Sequence, residues 1–372
     1  MKSGVLPDWK IIELIRGGII PNADVNLVNP SSLDLRITED KWKLLGSFLP
    51  VPGKKIEDAL SSKDIVDIHS SHQRFYVDHL QQYAMKMVES LELPEVLSAR
   101  VFNKSGRGRI GVSMRALTDG NPRFDVITEG YRGNIYIEMS STCFPLVVYA
   151  GETAIPQIMF YEGNPEVMVG SELEMLLKSY PILTDDEGNP SYDENEKSRI
   201  IKTGKLTFTA DIPAEGLMAY RALRDRRTLD LAKNGFYLPE DFYERIEGSG
   251  RKGILVHPGD FFLIKSKEHV RLPPFVAAEI DEYSQEVGDI KSHYAGLINA
   301  SHGYDPEKSN IPSHIVFEIR ARDVPLFVQD GQQMAKFVVY RMLGESEKRY
   351  ERVKSTKFSD LYSILPKLFK KD

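Results

Sequence analysis

Apolar residues at Ile11, Ile12, Leu14, Ile15 and Ile19 follow the three-and-four spacing of one helical face, and Gly17-Gly18 closes the run. A short amphipathic helix is expected to open the chain. The period then changes to two. Pro30-Ser31-Ser32-Leu33-Asp34-Leu35-Arg36-Ile37 alternates as a strand does, and short alternating or apolar runs fill Phe75 to Val112 and Ile135 to Tyr161. Leu93-Pro94, the glycines at 106–111 and Gly151 interrupt these runs as turns would. The charged stretch from Lys54 to Asp67 reads as a connecting excursion.

Near residue 163 the texture changes. Gly163-Asn164-Pro165, Asp185-Asp186-Glu187-Gly188-Asn189-Pro190 and Glu194-Asn195-Glu196-Lys197 are turn formers and charges around a brief helical patch at Leu173 to Leu177. This predicts a linker or exposed arm over 166–203, between domains at 1–165 and 204–372. Beyond it the first half's vocabulary returns. Thr228-Leu229-Asp230-Leu231 echoes Ser32-Leu33-Asp34-Leu35, and the run from His257 to Leu263 stands for Ser71 to Val77. Leu272-Pro273 repeats Leu93-Pro94, Glu318 repeats Glu138 and Gly331 repeats Gly151, at offsets of 179, 180 and 180. Offsets that agree this closely predict a tandem duplication of one β-rich domain.

At 372 residues the chain exceeds the size at which one core stops growing, which agrees with two domains. Its net charge of -6 gives no general affinity for nucleic acid, so a basic site has to be local. No apolar run approaches membrane-spanning length, so no membrane partner is expected and the expected compartment is the cytoplasm. The single cysteine, Cys143, excludes an internal disulfide and a thiolate zinc cluster, and reads as a core residue. The H-x-E and P-C-x-x-C elements of zinc-dependent base deaminases are both missing.

The local basic site is Lys104-Ser105-Gly106-Arg107-Gly108-Arg109-Ile110-Gly111. Its cations, hydroxyl and glycine-freed backbone suit a polyphosphate. The formal G-x-G-x-x-G match is no dinucleotide fingerprint, because Thr118-Asp119-Gly120-Asn121-Pro122 stops any helix after it. A solvated basic hairpin is the alternative. Glu138 ends an apolar strand and reads equally as an ion-pair residue or as a buried acid that trades protons. His69, His72 and His79 lack a fourth ligand and read as incidental more readily than as a zinc site. The segment from Phe358 to Pro366 either packs on its own domain or covers a ligand.

Several of these motifs together resemble a known family. Ser31-Ser32-Leu33-Asp34-Leu35-Arg36, Leu93-Pro94, Lys104-Ser105-x-x-x-Arg109-x-Gly111, Gly130-x-x-Gly133-x-Ile135-x-Ile137-Glu138, and Gly151 with Gln157 are similar in order and spacing to the dCTP deaminases of the dUTPase-like superfamily. The resemblance covers most of residues 10–162. It implies a mainly β chain of two tandem, distorted antiparallel β-barrels with a few short helices, forming a homo-oligomer with sites between domains or subunits. It gives Glu138 the role of general base, activating water for attack on cytosine C4. Ser105 and Arg109 match the serine and arginine that hold the base-side hydrogen bonds and the phosphates. Lys104, Arg107, Gly111, Thr128, Tyr131 and Gln157 complete the expected substrate-binding set, with Tyr131 under the deoxyribose. Mg2+ is expected to arrive with the triphosphate, and no residue is expected to hold zinc.

Three departures qualify the match. Thr128 stands where an aspartate is usual, which argues against dUTP hydrolysis, and Gly106 replaces a serine. In the second half Lys291-Ser292-His293-Tyr294-Ala295-Gly296 is shorter and has no arginine, and Asp305-Pro306 lies thirteen residues before Glu318 rather than ten. A degenerate second site is therefore expected, supplying a neighbouring surface. The expected reaction is dCTP to dUTP and ammonia. A dUTPase or bifunctional enzyme, and a silent nucleotide-binding module, are the alternatives.

Overall fold

The structure, a computed structural model, describes residues 3–224, 227–250, 252–281, 290–291, 295–304, 313–349 and 363–370. The first half is a curled antiparallel sheet. Its strands lie in the order Val112–Leu117, Arg132–Ser141, Tyr83–Glu92, Leu33–Leu44, Ala154–Glu162, Leu97–Asn103 and Val126–Ile127. The Leu33–Leu44 strand makes the corner: its first residues pair with Ala154–Glu162, and after a register shift the rest pair with Tyr83–Glu92. Alternation fixes what faces in. Leu97, Ala99, Val101 and Asn103 are buried, with half-exposed residues between them. Arg132–Ser141 is buried on both faces: Ile135, Ile137 and Met139 enter the main core, while Tyr136 packs with Leu44, Ala84 and Leu117.

The second half repeats this plan, as the offsets predict. Val276 N–H donates to Pro273 as Leu97 N–H does to Pro94, and Gly331 N–H donates to Ala210 as Gly151 N–H does to Ile37. Glu318 lies opposite Leu263 as Glu138 lies opposite Ala84. Two echoes are corrected by the register. The counterpart of Leu33–Leu44 is the pair Leu206–Thr209 and Glu215–Ala222, split around Pro213, rather than Leu229-Asp230. The counterpart of Arg74–Val77 is Gly253–Val256, so the run from His257 to Leu263 belongs one turn later.

Leu229-Asp230 instead leaves its own half and pairs in parallel with Leu146-Val147 of the first. Phe242, Tyr243, Ile364, Leu365, Leu368 and Phe369 follow it into the first half's core. Segment 166–203 is also more than a linker. It carries helices Gly170–Ser179 and Glu194–Thr203, whose Leu173, Leu176, Leu177 and Ile200 are buried in the second core. The Asp193 side chain caps the latter helix in a reciprocal box with Glu196, the start signal hidden in a stretch that reads as a charge cluster.

The halves also meet through equivalent positions. Arg100 pairs with Glu279 at 2.9 Å, and the rings of Tyr161 and Tyr340 lie 6.2 Å apart, edge to face. Among the described residues no helix is long and apolar enough to cross a membrane.

Candidate active site

The basic segment forms one tight helical turn, in which Arg107 N–H and Gly108 N–H both donate to Lys104 C=O. Its end is anchored by Gly111, whose φ of +77° suits glycine and whose carbonyl accepts from both the N–H and the Oγ1 of Thr142 at 2.8 Å. Cys143 packs against the same glycine, and burial pushes its thiol up to about 12. It is a core residue, as expected.

Each cation of the turn rests on a protein acceptor. The Lys104 ammonium pairs with Asp34, which also accepts from Asn29 at 2.9 Å. Arg107 Nε donates to Ala154 C=O at 3.3 Å, and burial pulls this guanidinium down to about 10 against the opposing charge of Asp34. Arg109 donates to Ser363 C=O at 2.9 Å, and its own carbonyl accepts the Tyr243 hydroxyl at 2.8 Å. Ser105 opens the turn, half-buried. The second half thus covers the turn from two directions. Of the carboxyl-terminal segment, residues 358–362 lie outside the described residues, and the part that follows packs on the first half.

Glu138 is not brought to this turn. Its strand pairs Val112 with Ser141 and Arg115 with Glu138, so it sits three residues farther along the ladder. There its carboxylate, 1% exposed, accepts from Ser47 Oγ at 2.5 Å, Phe48 N–H at 2.8 Å and Gln82 Nε2 at 3.2 Å. Burial raises its pKa and these donors oppose the rise. The excursion after Leu44 therefore folds back over Glu138. The acid beside the turn is Glu318, 2% exposed, whose carboxylate oxygens occupy the space a Cβ on Gly108 would take. Ala295 N–H donates to it at 3.2 Å.

The other expected binding residues are scattered. Tyr131 is buried in the main core, with its hydroxyl donating to Asn134 C=O at 2.7 Å, so it offers no face to a sugar. Gln157 is locked in a buried network between the halves: its Oε1 accepts from Ser32 Oγ at 3.2 Å and from Asn299 Nδ2 at 3.3 Å. Asn299 Oδ1 in turn accepts from Ser31 and Ser32. Thr128 lines a different feature, a cleft of about 390 Å³ with Arg100, Arg123, Glu279 and Tyr340.

Asn299 and Ser47 are the residues that the motif spacing misses. The sheet register makes Asn299 the counterpart of Thr128, since Ile298 pairs with Ala278 as Ile127 pairs with Ala99. Asp305-Pro306, the motif-based candidate, lies outside the described residues, as do Ser292, His293 and Tyr294.

His69, His72 and His79 do not gather. His69 stacks on Trp42 and bonds Asp40, while His79 bonds Thr142 C=O. The cluster that does form, among the described residues, is Asp186, His269 and His314. Ser313 N–H donates to His269 Nδ1 at 3.0 Å, so Nε2 carries the ring's proton towards Asp186 and has no lone pair for an ion. The donor set does not fit a metal. It fits a pH-sensitive contact, because burial and the neighbouring His269 pull His314 down to about 4. Protonation below the ordinary histidine pKa then favours the unfolded chain. Stability from this contact is complete above pH ~6.5 and is lost as pH falls towards 4. Melting curves at pH 7 and pH 5 are expected to show a smaller acid loss for His314→Gln than for the natural chain, by roughly 1–2 kcal/mol.

Fold and site together define a two-domain protein of the dUTPase-like β-barrel class, with a basic turn of one domain facing a buried carboxylate of the other. Two family models match the chain: 2'-deoxycytidine 5'-triphosphate deaminase (DCD) N-terminal domain over residues 2–164, and the C-terminal domain of the same family over 184–369. The chain belongs to the 2'-deoxycytidine 5'-triphosphate deaminase family. The crystal structure of 2'-deoxycytidine 5'-triphosphate deaminase from Agrobacterium tumefaciens superposes with a TM-score of 0.82 at 29% identity, covering 92% of this chain and all of that one. Single-domain-length relatives match as well. The "dCTP deaminase, dUMP-forming" of Methanoculleus marisnigri is 30% identical over 170 residues, 43% of this chain and 81% of its own length. That of Methanobrevibacter smithii is 28% identical over 165 residues, 42% and 79% respectively.

Proposed function

We propose that the chain hydrolytically deaminates dCTP, releasing ammonia and leaving dUTP. The observation that carries this reading is the half-buried turn Lys104–Arg109 set against a buried glutamate inside a dCTP deaminase fold. Burial leaves Arg107 easier to deprotonate than a free arginine, and a triphosphate oxygen would favour its charged form. Lys104 and Arg109 add positive charge, Ser105 a hydroxyl, and Gly111 holds the turn in place. Mg2+ belongs with the triphosphate as part of the substrate. A carboxylate that accepts a proton from water and returns it to the leaving amino group needs no bound zinc.

Release of dUMP is the second reading, favoured by the dUMP-forming activity in the names of the two methanogen relatives. Thr128, which has no carboxylate, supports dUTP as the end product. Incubation with dCTP, dCMP, CTP and dUTP, with ammonia and pyrophosphate followed separately, decides between them. Ammonia without pyrophosphate from dCTP is the expected result. Pyrophosphate from dUTP establishes the bifunctional reading, and no ammonia from any of the four overturns both. Arg107→Ala is expected to weaken dCTP binding about 10- to 100-fold, the range of a lost charge-assisted contact, in a direct binding titration.

A further inference from the structure

We infer that the acid serving the Lys104–Arg109 turn is Glu318, contributed by the opposite half of the chain, and that Glu138 is a sealed structural carboxylate. The inference rests on the deaminase reading and assigns its proton-transfer residue. The contrast between the two glutamates comes from one pair of equivalent excursions. Leu45 N–H donates to Ile65 C=O and Leu223 N–H to Phe242 C=O, both at 2.8 Å, so the excursions leave and rejoin their sheets at matching points. The first folds back on its own half and places Ser47 and Phe48 on the Glu138 carboxylate. The second crosses to the first half, where Leu229-Asp230 joins Leu146-Val147 and Tyr243 reaches Arg109.

Side-chain chemistry follows the same division. Gln82, which donates to Glu138, has Phe261 as its counterpart: Leu44 N–H bonds Gln82 C=O as Ala222 N–H bonds Phe261 C=O, both at 2.9 Å. The Gln82 contact therefore has no side-chain equivalent at position 261. The Glu318 carboxylate lies on Gly108 instead, in a position glycine alone permits. Asn299, on the segment that leads to the Glu318 strand, is bonded to Ser31, Ser32 and Gln157 of the first half, which holds that segment across the boundary. Three donors of its own half, Ser47, Phe48 and Gln82, hold the Glu138 carboxylate at its place along the ladder, three residues away from the turn.

In the reaction Glu318 takes a proton from water as its oxygen bonds to C4 of cytosine. It returns that proton to the amino nitrogen as the C4–N bond breaks, so water and dCTP become dUTP and ammonia.

The test uses the full chain carrying Glu318→Gln, Glu138→Gln or Gly108→Ala, with ammonia release, nucleotide affinity and melting temperature read in parallel. Glu318→Gln is expected to lower ammonia release by about 10²–10⁴-fold, the range for losing a proton-transfer group, with melting temperature kept. Gly108→Ala, which displaces the carboxylate, is expected to lower it at least ~10-fold. Glu138→Gln is expected to act first on melting temperature. Turnover that survives Glu318→Gln overturns the assignment, and so does loss of turnover in Glu138→Gln at unchanged melting temperature. The dCTP-over-dUTP binding preference provides a readout independent of turnover. A shift of about 5-fold, one hydrogen bond's worth, in Glu318→Gln but not in Glu138→Gln supports the placement even where the natural chain releases no ammonia, a result that by itself sinks only the deaminase reading. An unchanged preference overturns the placement too.

Discussion

Gly111→Ala is expected to unfold the basic turn and to cost about 2–5 kcal/mol. Two penalties add. A non-glycine residue at φ +77° carries roughly 1–2 kcal/mol of backbone strain. The new methyl would also meet Cys143, whose Cβ lies 2.9 Å from its position and whose sulfur lies nearer still, and overpacking of this kind costs about 1–3 kcal/mol. Denaturant midpoints measure the sum. Cys143→Ala in the same chain removes the obstructing sulfur and should recover part of the loss, whereas the strain remains. A Gly111→Ala chain as stable as the natural one would mean that the turn adjusts around a methyl group.

Arg36→Ala is expected to cost about 3–5 kcal/mol, because it leaves a fully buried carboxylate without its counter-charge. Glu89 accepts from both Arg36 N–H and Nε at 2.8 Å and has no exposed surface. Burial already holds its pKa above the ordinary value with Arg36 present. The sign of the pH effect follows from that direction. A raised folded-state pKa favours folding at low pH, and the gain disappears as pH rises through the folded pKa. Without Arg36 the pKa rises further, so the deficit should be largest at neutral and alkaline pH and smaller near pH 5. Melting curves of both chains across pH 5–8 test this, and Glu89→Gln added to Arg36→Ala should reduce the deficit at pH 8. A deficit that grows on acidification would contradict the sign.

The duplication was legible because strands, turns and one glutamate recur at a constant offset, which insertions elsewhere in the second half do not disturb. The local content of the basic turn was legible for the same reason: cations and glycines so close together need no tertiary information to be noticed. What surrounds the turn was not. Proximity in sequence joined Lys104–Arg109 to Glu138, yet strand pairing carries Glu138 along the ladder to residues 47, 48 and 82, and the acid at the turn comes from a strand in the other half. No local pattern marks a contact across a domain boundary. Tyr131 misled for a related reason. The resemblance sets it under a deoxyribose, whereas the sheet folds its ring inward and Asn134 C=O takes its hydroxyl.

The crossing of Leu229-Asp230 onto the first half's sheet has one more implication, for dilution. In an assembly of separate single-domain subunits, a turn and an acid from different chains meet only as often as concentration allows. Here both are tied into one polypeptide and clamped by a shared core that includes Phe242, Tyr243, Leu368 and Phe369. Their effective concentration is set by covalent connection, so the pairing of turn and acid persists however few molecules are present. Neither half alone brings the Glu318 carboxylate against Gly108 of the turn.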